Sequence, residues 1–327
     1  MLKAYASQEG RPLADLGADD AAIAKAQWID LFEPTEEEKA RVLRATGFTI
    51  ASEDDLDEIE TSSRLSYDGH AIYMSMPLTI AANGPHPHSK PVGFVLSQER
   101  LITIRFLDSR AFRAFLEEQH RTPMDDAGPV GIFLTILEGI VEKLADLLET
   151  TRDELDRVSR TIFMHDPESG KRPGRQDREL QLTIKTIGRA GDLMSHVRDS
   201  LLGIDRILPF VTQAGDTWIN KTHKERMKSL RRDVTSLTDY DNSLNNKMQF
   251  LLDATLGLIN TAQNNIIKVL TVVSVVGVPP TLVASIYGMN FKDMPELNWA
   301  FGYPYGLTLI VLSAVLPLVW FRFRGWL

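Results

Sequence analysis

The sequence predicts an α+β soluble domain that continues into long helices and ends in two membrane-spanning helices. Three observations lead to this class. Apolar and polar residues alternate over short segments in the first ~120 residues, which is typical of strands. From about residue 129 apolar residues recur at helical spacing. Two uncharged apolar segments, 269–286 and 303–321, are each about as long as the roughly 20 residues that cross a bilayer core.

Composition limits what the chain binds and where it works. Of its 327 residues none is cysteine, so disulfides and thiolate chemistry are excluded. The formal net charge of -8 argues against a nucleic-acid partner. No phosphate-cradling glycine loop occurs, and no nucleophile stands at a recognisable spacing from a base. We therefore do not expect an enzyme.

The elements of the N-terminal part follow from local patterns, and we assign residues 1–125 to an α/β domain. Residues 28–32 read as a short strand, and acidic residues after Thr35 predict the first turn of a helix. Residues 70–80 and 92–106 alternate like strands, with a glycine- and proline-containing loop at 81–88 between them. The histidines of that loop, His86 and His88, are expected to be exposed rather than metal ligands.

Residues 126–210 are predicted to form an antiparallel helical hairpin. Helical spacing covers 131–164 and 176–208, a break lies at 165–174, and Pro209 is expected to end the second helix. A third helix is expected from about Asp216. No proline occurs between Pro209 and Pro279, so one helix of roughly 100 Å is favoured over two consecutive helices.

The membrane topology follows from these segments and their flanking charges. Residues 211–288 form a stalk helix that continues into a first span at about 266–287. A loop at 288–302, a second span at 303–321 and a basic tail at 322–327 follow. Lys268, Arg322 and Arg324 flank the spans on one side, and basic residues favour the cytoplasm. Both termini are therefore predicted to be cytoplasmic and the loop external.

A polar seam runs along the first span. Counting back from Gly288 in alternating steps of three and four gives a 3.5-residue repeat, as in helices packed around a common axis. The seven positions are Ser285, Thr281, Val278, Ser274, Thr271, Ile267 and Asn264. All of them except Val278 and Ile267 carry a hydroxyl or amide. Such a stripe must face protein or water inside a membrane. From periodicity alone, an aqueous pore between several copies and a dry helix contact are equally acceptable.

Three motifs around the spans, in this order, resemble the CorA family of divalent-cation channels. They are Tyr-Gly-Met-Asn-Phe at 287–291, Met-Pro-Glu-Leu-Asn-Trp at 294–299 and the terminal Gly-Trp-Leu at 325–327. The resemblance implies a funnel-shaped homopentamer in the inner membrane that passes Mg²⁺, also Co²⁺ and, as a further candidate, Ni²⁺. It implies no cofactor, since Mg²⁺ is the cargo and the regulator. It also favours an aqueous pore over a dry helix contact as the role of the polar seam.

The resemblance further implies roles for individual residues. Gly288, Met289 and Asn290 match the family's selectivity entrance residue for residue. Asn264 and Thr281 fall where the family has polar pore rings, and Ile267, Leu270 and Val278 are expected to form an apolar constriction that gates by dewetting. The stripe has no carboxylate, which suits a cation that must be released again. The loop acid Glu296 is expected to concentrate cations at the mouth.

Regulation is expected from acids in the soluble part. In the family, Mg²⁺ bound between cytoplasmic domains keeps the channel closed. Asp253 lies on the stalk where some relatives carry a regulatory acid, and residues 53–60 form the densest acidic run. A solvated helix face is the favoured interpretation of that run, and a low-affinity divalent-cation sensor is the alternative. Two alternative functions stay open: a proton-coupled Zn²⁺ transporter of the related zinc branch, and a non-conducting membrane scaffold.

Overall fold

The computed structural model describes residues 1–6, 13–58, 60–80, 88–108, 112, 113, 115, 126, 128–164, 173–290 and 294–326. Within these ranges it shows the predicted α+β class: a mixed sheet, three long helices and a C-terminal apolar helix. The sheet has the order β2-β1-β3-β7-β6-β5-β4. Its strands are β1 Leu2–Ala6, β2 Ala14–Gly17, β3 Trp28–Phe32, β4 Leu65–Tyr67, β5 Ala71–Ile80, β6 His88–Ser97 and β7 Leu101–Arg105.

The predicted strands are confirmed at 28–32 and at 71–80, whereas the predicted strand 92–106 is in fact two. β5 and β6 pair antiparallel without interruption from Ala71 opposite Ser97 to Ile80 opposite His88. The chain then reverses, because the Ser97 amide donates to the Arg100 carbonyl at 2.9 Å and closes a tight turn. β7 returns along β6 and pairs parallel with β3. Residues 81–87, with His86, lie outside the described residues.

Short helices cover one face of the sheet. They are α1 Asp20–Lys25, α2 Glu36–Thr46, α3 Glu53–Asp57 and α4 Thr61–Arg64. α2 begins where its acids predicted it, with a capping box in which Thr35 accepts from the Glu38 amide and Glu38 from the Thr35 amide. Ile23, Val42 and Ile104 belong to the apolar core on this side.

Long helices cover the other face. They are α5 Pro129–Phe163, α6 Pro173–Ala214 and α7 Lys221–Tyr287. Phe94 of β6, Phe133 of α5 and Val197 of α6 belong to one apolar core, to which Val234 of α7 also contributes. A Cβ at Gly203 would stand 2.7 Å from the Cβ of Met76, so this glycine allows α6 to approach β5 closely.

The prediction that Pro209 ends its helix is wrong, because α6 continues to Ala214 with Pro209 inside it. Pro209 removes one amide donor, but Leu208 and Val211 on either side are buried and hold the helix together. The predicted break at 165–174 lies mostly outside the described residues.

The single long helix is confirmed. α7 has 67 residues, which at 1.5 Å per residue is about 100 Å, and it begins at Lys221 rather than Asp216. Residues 1–172 and 181–252 form one compact unit. The second unit comprises residues 173–180 and 253–327. It contains the C-terminal part of α7, a 3₁₀ turn at Pro295–Asn298 and the last helix, α8 Gly302–Phe323.

Candidate pore-lining and filter residues

Two helices, Lys221–Tyr287 and Gly302–Phe323, are long and apolar enough to cross a membrane. Their most apolar windows are 0% and 6% buried inside the chain. The core helix of a soluble protein would be mostly buried, so this exposure favours contact with lipid or with further copies of the chain.

The seam predicted for α7 lies on its uncovered side. The least exposed side chains of this part of α7, Val272, Val276, Val283 and Tyr287, recur at helical spacing and define a covered face. At 100° per residue the seam lies on the opposite side of the helix. Of its members only Thr271 is half-buried, while Ile267 and Val278 are 57% and 60% exposed. Leu270 points to the seam side and is 64% exposed.

Three of the four hydroxyl groups of the seam donate hydrogen bonds to carbonyl oxygens of their own helix. Thr271 bonds the Ile267 carbonyl, Thr281 the Val278 carbonyl at 2.7 Å, and Ser285 the Thr281 carbonyl at 2.7 Å. Each oxygen therefore presents its lone pairs outward as an acceptor. Acceptors suit the water molecules around a hydrated cation, whose hydrogens point away from the ion.

Pro279 and Pro280 lie inside α7 without ending it. Each lacks the amide that would bond the carbonyl four residues earlier, so the carbonyls of Val275 and Val276 lose their usual donors. Irregular backbone at membrane depth is tolerated where protein or a water-filled cavity provides partners. The proline pair thus leaves two backbone acceptors without their usual donors in the middle of the span.

The Gly-Met-Asn turn closes the end of α7. The Gly288 amide donates to the Ala284 carbonyl at 3.0 Å and the Met289 amide to the Ile286 carbonyl at 3.2 Å. Asn290 follows outside the helix, and all three residues are exposed. A Cβ at Gly288 would stand 3.3 Å from the Ala284 carbonyl oxygen, tighter than most Cβ contacts. Glycine therefore lets the turn stay close to the helix end.

Glu296 lies beside this turn, although Phe291, Lys292 and Asp293 lie outside the described residues. Glu296 and Gly288 line one cavity of about 480 Å³, together with Tyr287, Trp299 and Tyr303. The chain folds tightly here, since a Cβ at Gly302 would stand 2.2 Å from the Glu296 carbonyl oxygen. The loop acid is thus held near the start of the turn by backbone packing.

Sequence reasoning missed a contact at the end of the two apolar segments that lies away from the Gly-Met-Asn turn. The Lys268 ammonium lies 3.4 Å from the Gly325 carbonyl oxygen and 5.8 Å from the centroid of the Trp326 ring. Trp326 stacks on Phe321, which is only 2% exposed. The signal was in the sequence, because a glycine just past a helix, followed by an apolar residue, is typical of a helix-ending motif whose apolar residue contacts the last turn.

The acidic residues proposed for regulation do not form a metal centre within the described chain. Asp253 is an exposed residue of α7. In the acidic run, the Ser52 hydroxyl donates to Asp55 at 2.6 Å and holds the pKa of that carboxyl below its usual range, while Glu53 pairs with Lys90. No group of three or more histidine, aspartate or glutamate side chains among the described residues is placed to hold a metal ion.

A soluble α+β body, a continuous helix that enters an apolar segment, and a Gly-Met-Asn turn between two apolar helices are the features of an integral membrane protein. Residues 24–324 match the family model described as CorA-like Mg²⁺ transporter protein. The chain belongs to this family.

Known proteins of this kind resemble it over their whole length. The magnesium transport protein CorA of Escherichia coli (strain K12) is 33% identical over 328 residues, which cover 100% of both chains. The complete structure of the CorA magnesium transporter from Methanocaldococcus jannaschii covers 100% of this chain at a TM-score of 0.76 and 19% identity. The ZntB cytoplasmic domain from Vibrio parahaemolyticus covers 79% of this chain at a TM-score of 0.54 and 12% identity, a likeness of fold alone.

Proposed function

We propose that the chain assembles into a homopentameric channel through which the membrane potential drives Mg²⁺ into the cell, along with Co²⁺ and, as a further candidate, Ni²⁺. The observation that carries the proposal is the uncovered, carboxylate-free seam of α7, which leads directly to the Gly-Met-Asn turn. Two spans in one chain do not enclose an aqueous path, so several copies must surround it. Family membership supports transport rather than catalysis.

The filter works on a hydrated ion in this proposal. Mg²⁺ gives up its water reluctantly, so a site that accepts hydrogen bonds from its water shell binds it without stripping it. Five Asn290 amides around the axis supply such acceptors at the outer mouth, next to the backbone of Gly288 and Met289. Glu296 raises the local cation concentration there.

The conducting path continues along the seam. The hydroxyl oxygens of Thr281, Ser274 and Thr271 accept from the moving hydration shell and bind it weakly, as conduction requires. Ile267, Leu270 and Val278 form apolar rings that stop flow when they dewet. Asn264 forms the inner polar ring, and Ser285 continues the line toward the filter.

The orientation rests on charge. Lys268, Arg322 and Arg324 stand at the end away from the filter, and this basic flank supports a cytoplasmic location for that end and both termini, in a bacterial-type inner membrane. We assign residues 1–125 and 126–210 to the cytoplasmic domains, 211–288 to the stalk and first span, and 288–302 to the external loop. The membrane potential makes the entry of each divalent ion more favourable by about 4.6 kcal/mol per 100 mV.

Closure by internal Mg²⁺ is part of the proposal. Asp253 is exposed on α7 just before the inner end of the seam, and several copies around the axis would bring these carboxylates together. A ring of this kind binds Mg²⁺ only when it is plentiful, so a fall in internal Mg²⁺ releases the constriction. Mg²⁺ is then both the transported and the regulatory ion.

The test is ion uptake by the purified protein in liposomes that contain an Mg²⁺ dye, under an applied potential. Loss of a ring of amides worth about 1 kcal/mol each is expected to lower uptake by Asn290→Ala at least about tenfold. Asn298→Ala is the matched control, since Asn298 is exposed in the same loop and should keep uptake within about twofold of the wild type.

The same liposomes separate the alternatives. Zn²⁺ entry that follows a proton gradient, with little Mg²⁺ entry, would assign the chain to the zinc branch. The fold allows that outcome, because the soluble domains of both branches are alike. No flux of either ion, and an Asn290→Ala variant that behaves like the wild type, would leave a non-conducting scaffold.

A further inference from the structure

We propose that the basic end of the two apolar segments, where Lys268, Arg322 and Arg324 lie, binds the phosphate of an anionic membrane phospholipid. Segments 254–290 and 297–326 together contain only three charged side chains: Lys268, Arg322 and Arg324. All three are positive, and they come from two helices far apart in sequence. Neither segment contains a carboxylate side chain.

A reversal at the end of α8 brings Lys268 to the segment that follows the two arginines. The Trp326 amide donates to the Phe321 carbonyl at 3.0 Å and the Gly325 amide to the Arg322 carbonyl at 3.1 Å, while Gly325 has a φ of 68°. These two bonds with a left-handed glycine form a Schellman motif. The reversal directs the Gly325 carbonyl toward the Lys268 ammonium, 3.4 Å away.

Aromatic rings contact two of these cations, Lys268 and Arg324. The Arg324 guanidinium lies 5.6 Å from the Trp320 ring centroid, and the Lys268 ammonium 5.8 Å from that of Trp326. A ring face orients a cation without neutralising its charge. Arg322 and Arg324 are exposed. Guanidinium and ammonium groups presented together at a membrane surface match a phosphate diester, because each N–H donates to a phosphate oxygen.

The surroundings select a lipid over a soluble anion. One face of α8 next to the cations consists of apolar side chains at helical spacing, and Leu316, Val319 and Phe323 are 63%, 45% and 88% exposed. An acyl chain covers such a face while its headgroup reaches the arginines. A free phosphate ion would leave this surface bare.

The test is native mass spectrometry of the full-length protein in detergent, titrated with phosphatidylglycerol or phosphatidylcholine. Each cation near a membrane surface contributes about fivefold to the affinity for an anionic lipid. Removing all three in Lys268→Gln/Arg322→Gln/Arg324→Gln is thus expected to weaken phosphatidylglycerol binding about a hundredfold. Phosphatidylcholine binding should stay unchanged.

Two further variants keep the result interpretable. Lys185→Gln/Arg206→Gln/Arg232→Gln removes the same charge from exposed positions of the soluble part and should keep phosphatidylglycerol affinity within about twofold. Arg322→Lys/Arg324→Lys keeps the charge and should retain most of the binding even where the glutamine variant folds poorly. Asn290→Ala, which blocks conduction under the proposed function, should bind the lipid normally, so the two proposals fail independently.

Three outcomes would overturn the proposal. Equal affinity for the two lipids would mean that the cations contribute nothing. Equal weakening by the control variant would mean a general effect of net charge. Displacement of phosphatidylglycerol by inorganic phosphate at similar concentration would mean a site for soluble anions.

Discussion

Asp241 on α7 is a buried acid with one cation beside it. Its side chain is fully buried, and one carboxylate oxygen accepts from the Arg198 Nε at 2.8 Å and from a terminal nitrogen of the same guanidinium at 2.6 Å. The other oxygen finds no hydrogen-bond partner in the described chain. Burial raises the pKa of Asp241, and the Arg198 guanidinium opposes the rise.

Arg198→Ala should therefore destabilise the protein more at pH 8 than at pH 5. A buried charge without its partner costs about 3 kcal/mol or somewhat less here, because Arg198 is partly exposed. With Arg198 gone the pKa of Asp241 rises further. A carboxyl whose folded-state pKa is raised favours folding when protonated, so the cost grows as the pH rises through that pKa.

Thermal unfolding of the full-length protein at the two pH values measures this effect. Arg198→Ala/Asp241→Asn removes the charge and should abolish the pH dependence of the loss. Arg231→Ala breaks the more exposed pair with Asp205 and should cost at most about 1 kcal/mol at either pH. A loss from Arg198→Ala that is the same at pH 5 and pH 8 would contradict the account of Asp241.

Single residues were predictable where local chemistry decides. The acids after Thr35 marked the start of α2, and the charges of Lys268, Arg322 and Arg324 marked one end of the membrane segment. The Arg198–Asp241 pair was not predictable, since 43 residues separate its members and only the packing of α6 on α7 joins them. The contact of Lys268 with Gly325 depends on a similar meeting of distant segments.

At the scale of elements, α6 shows how packing overrides a local signal. Proline in a helix interior costs about 3 kcal/mol relative to alanine, yet α6 passes through Pro209. Buried Leu208 and Val211 fix the helix on both sides of it. The single strand predicted at 92–106 was wrong, because four polar residues at 97–100 interrupt it and the bond between Ser97 and Arg100 closes a turn there.

Pro209→Ala should accordingly stabilise the protein. It restores a donor for the Asp205 carbonyl, and the gain is reduced by up to ~1 kcal/mol because alanine leaves the unfolded chain more freedom. We expect a net gain of about 2 kcal/mol and an unfolding midpoint raised by several degrees. Gln213→Ala, at an exposed position one turn further along, should change stability by no more than about 0.5 kcal/mol. An unfolding midpoint for Pro209→Ala below that of the wild type would mean that Pro209 stabilises the helix.

For the whole molecule, the long helix was predictable from the absence of proline and the membrane segments from their length. One chain does not show the assembly, but the exposed apolar side chains of α7 indicate that a partner covers them. Phe250, Leu256 and Leu258 are 60%, 45% and 40% exposed on the part of the helix that precedes the apolar span. Apolar surface of this kind is typically covered by a partner, and identical helices with a 3.5-residue seam cover one another.

Single cysteines can test both the assembly and the direction of the seam, because the chain contains no cysteine of its own. Asn264 and Ala262 are two residues apart and hence about 200° apart around the helix. Asn264 lies on the seam and is exposed, whereas Ala262 is half-buried. With a short bifunctional maleimide, Asn264→Cys should give mainly a two-copy band on a denaturing gel, because one thiol per chain forms one link, and Ala262→Cys should stay mainly monomeric. A variant Asn264→Cys that stays monomeric would contradict packing of the seam around a common axis, and stronger linking through Ala262→Cys would turn the seam away from the axis.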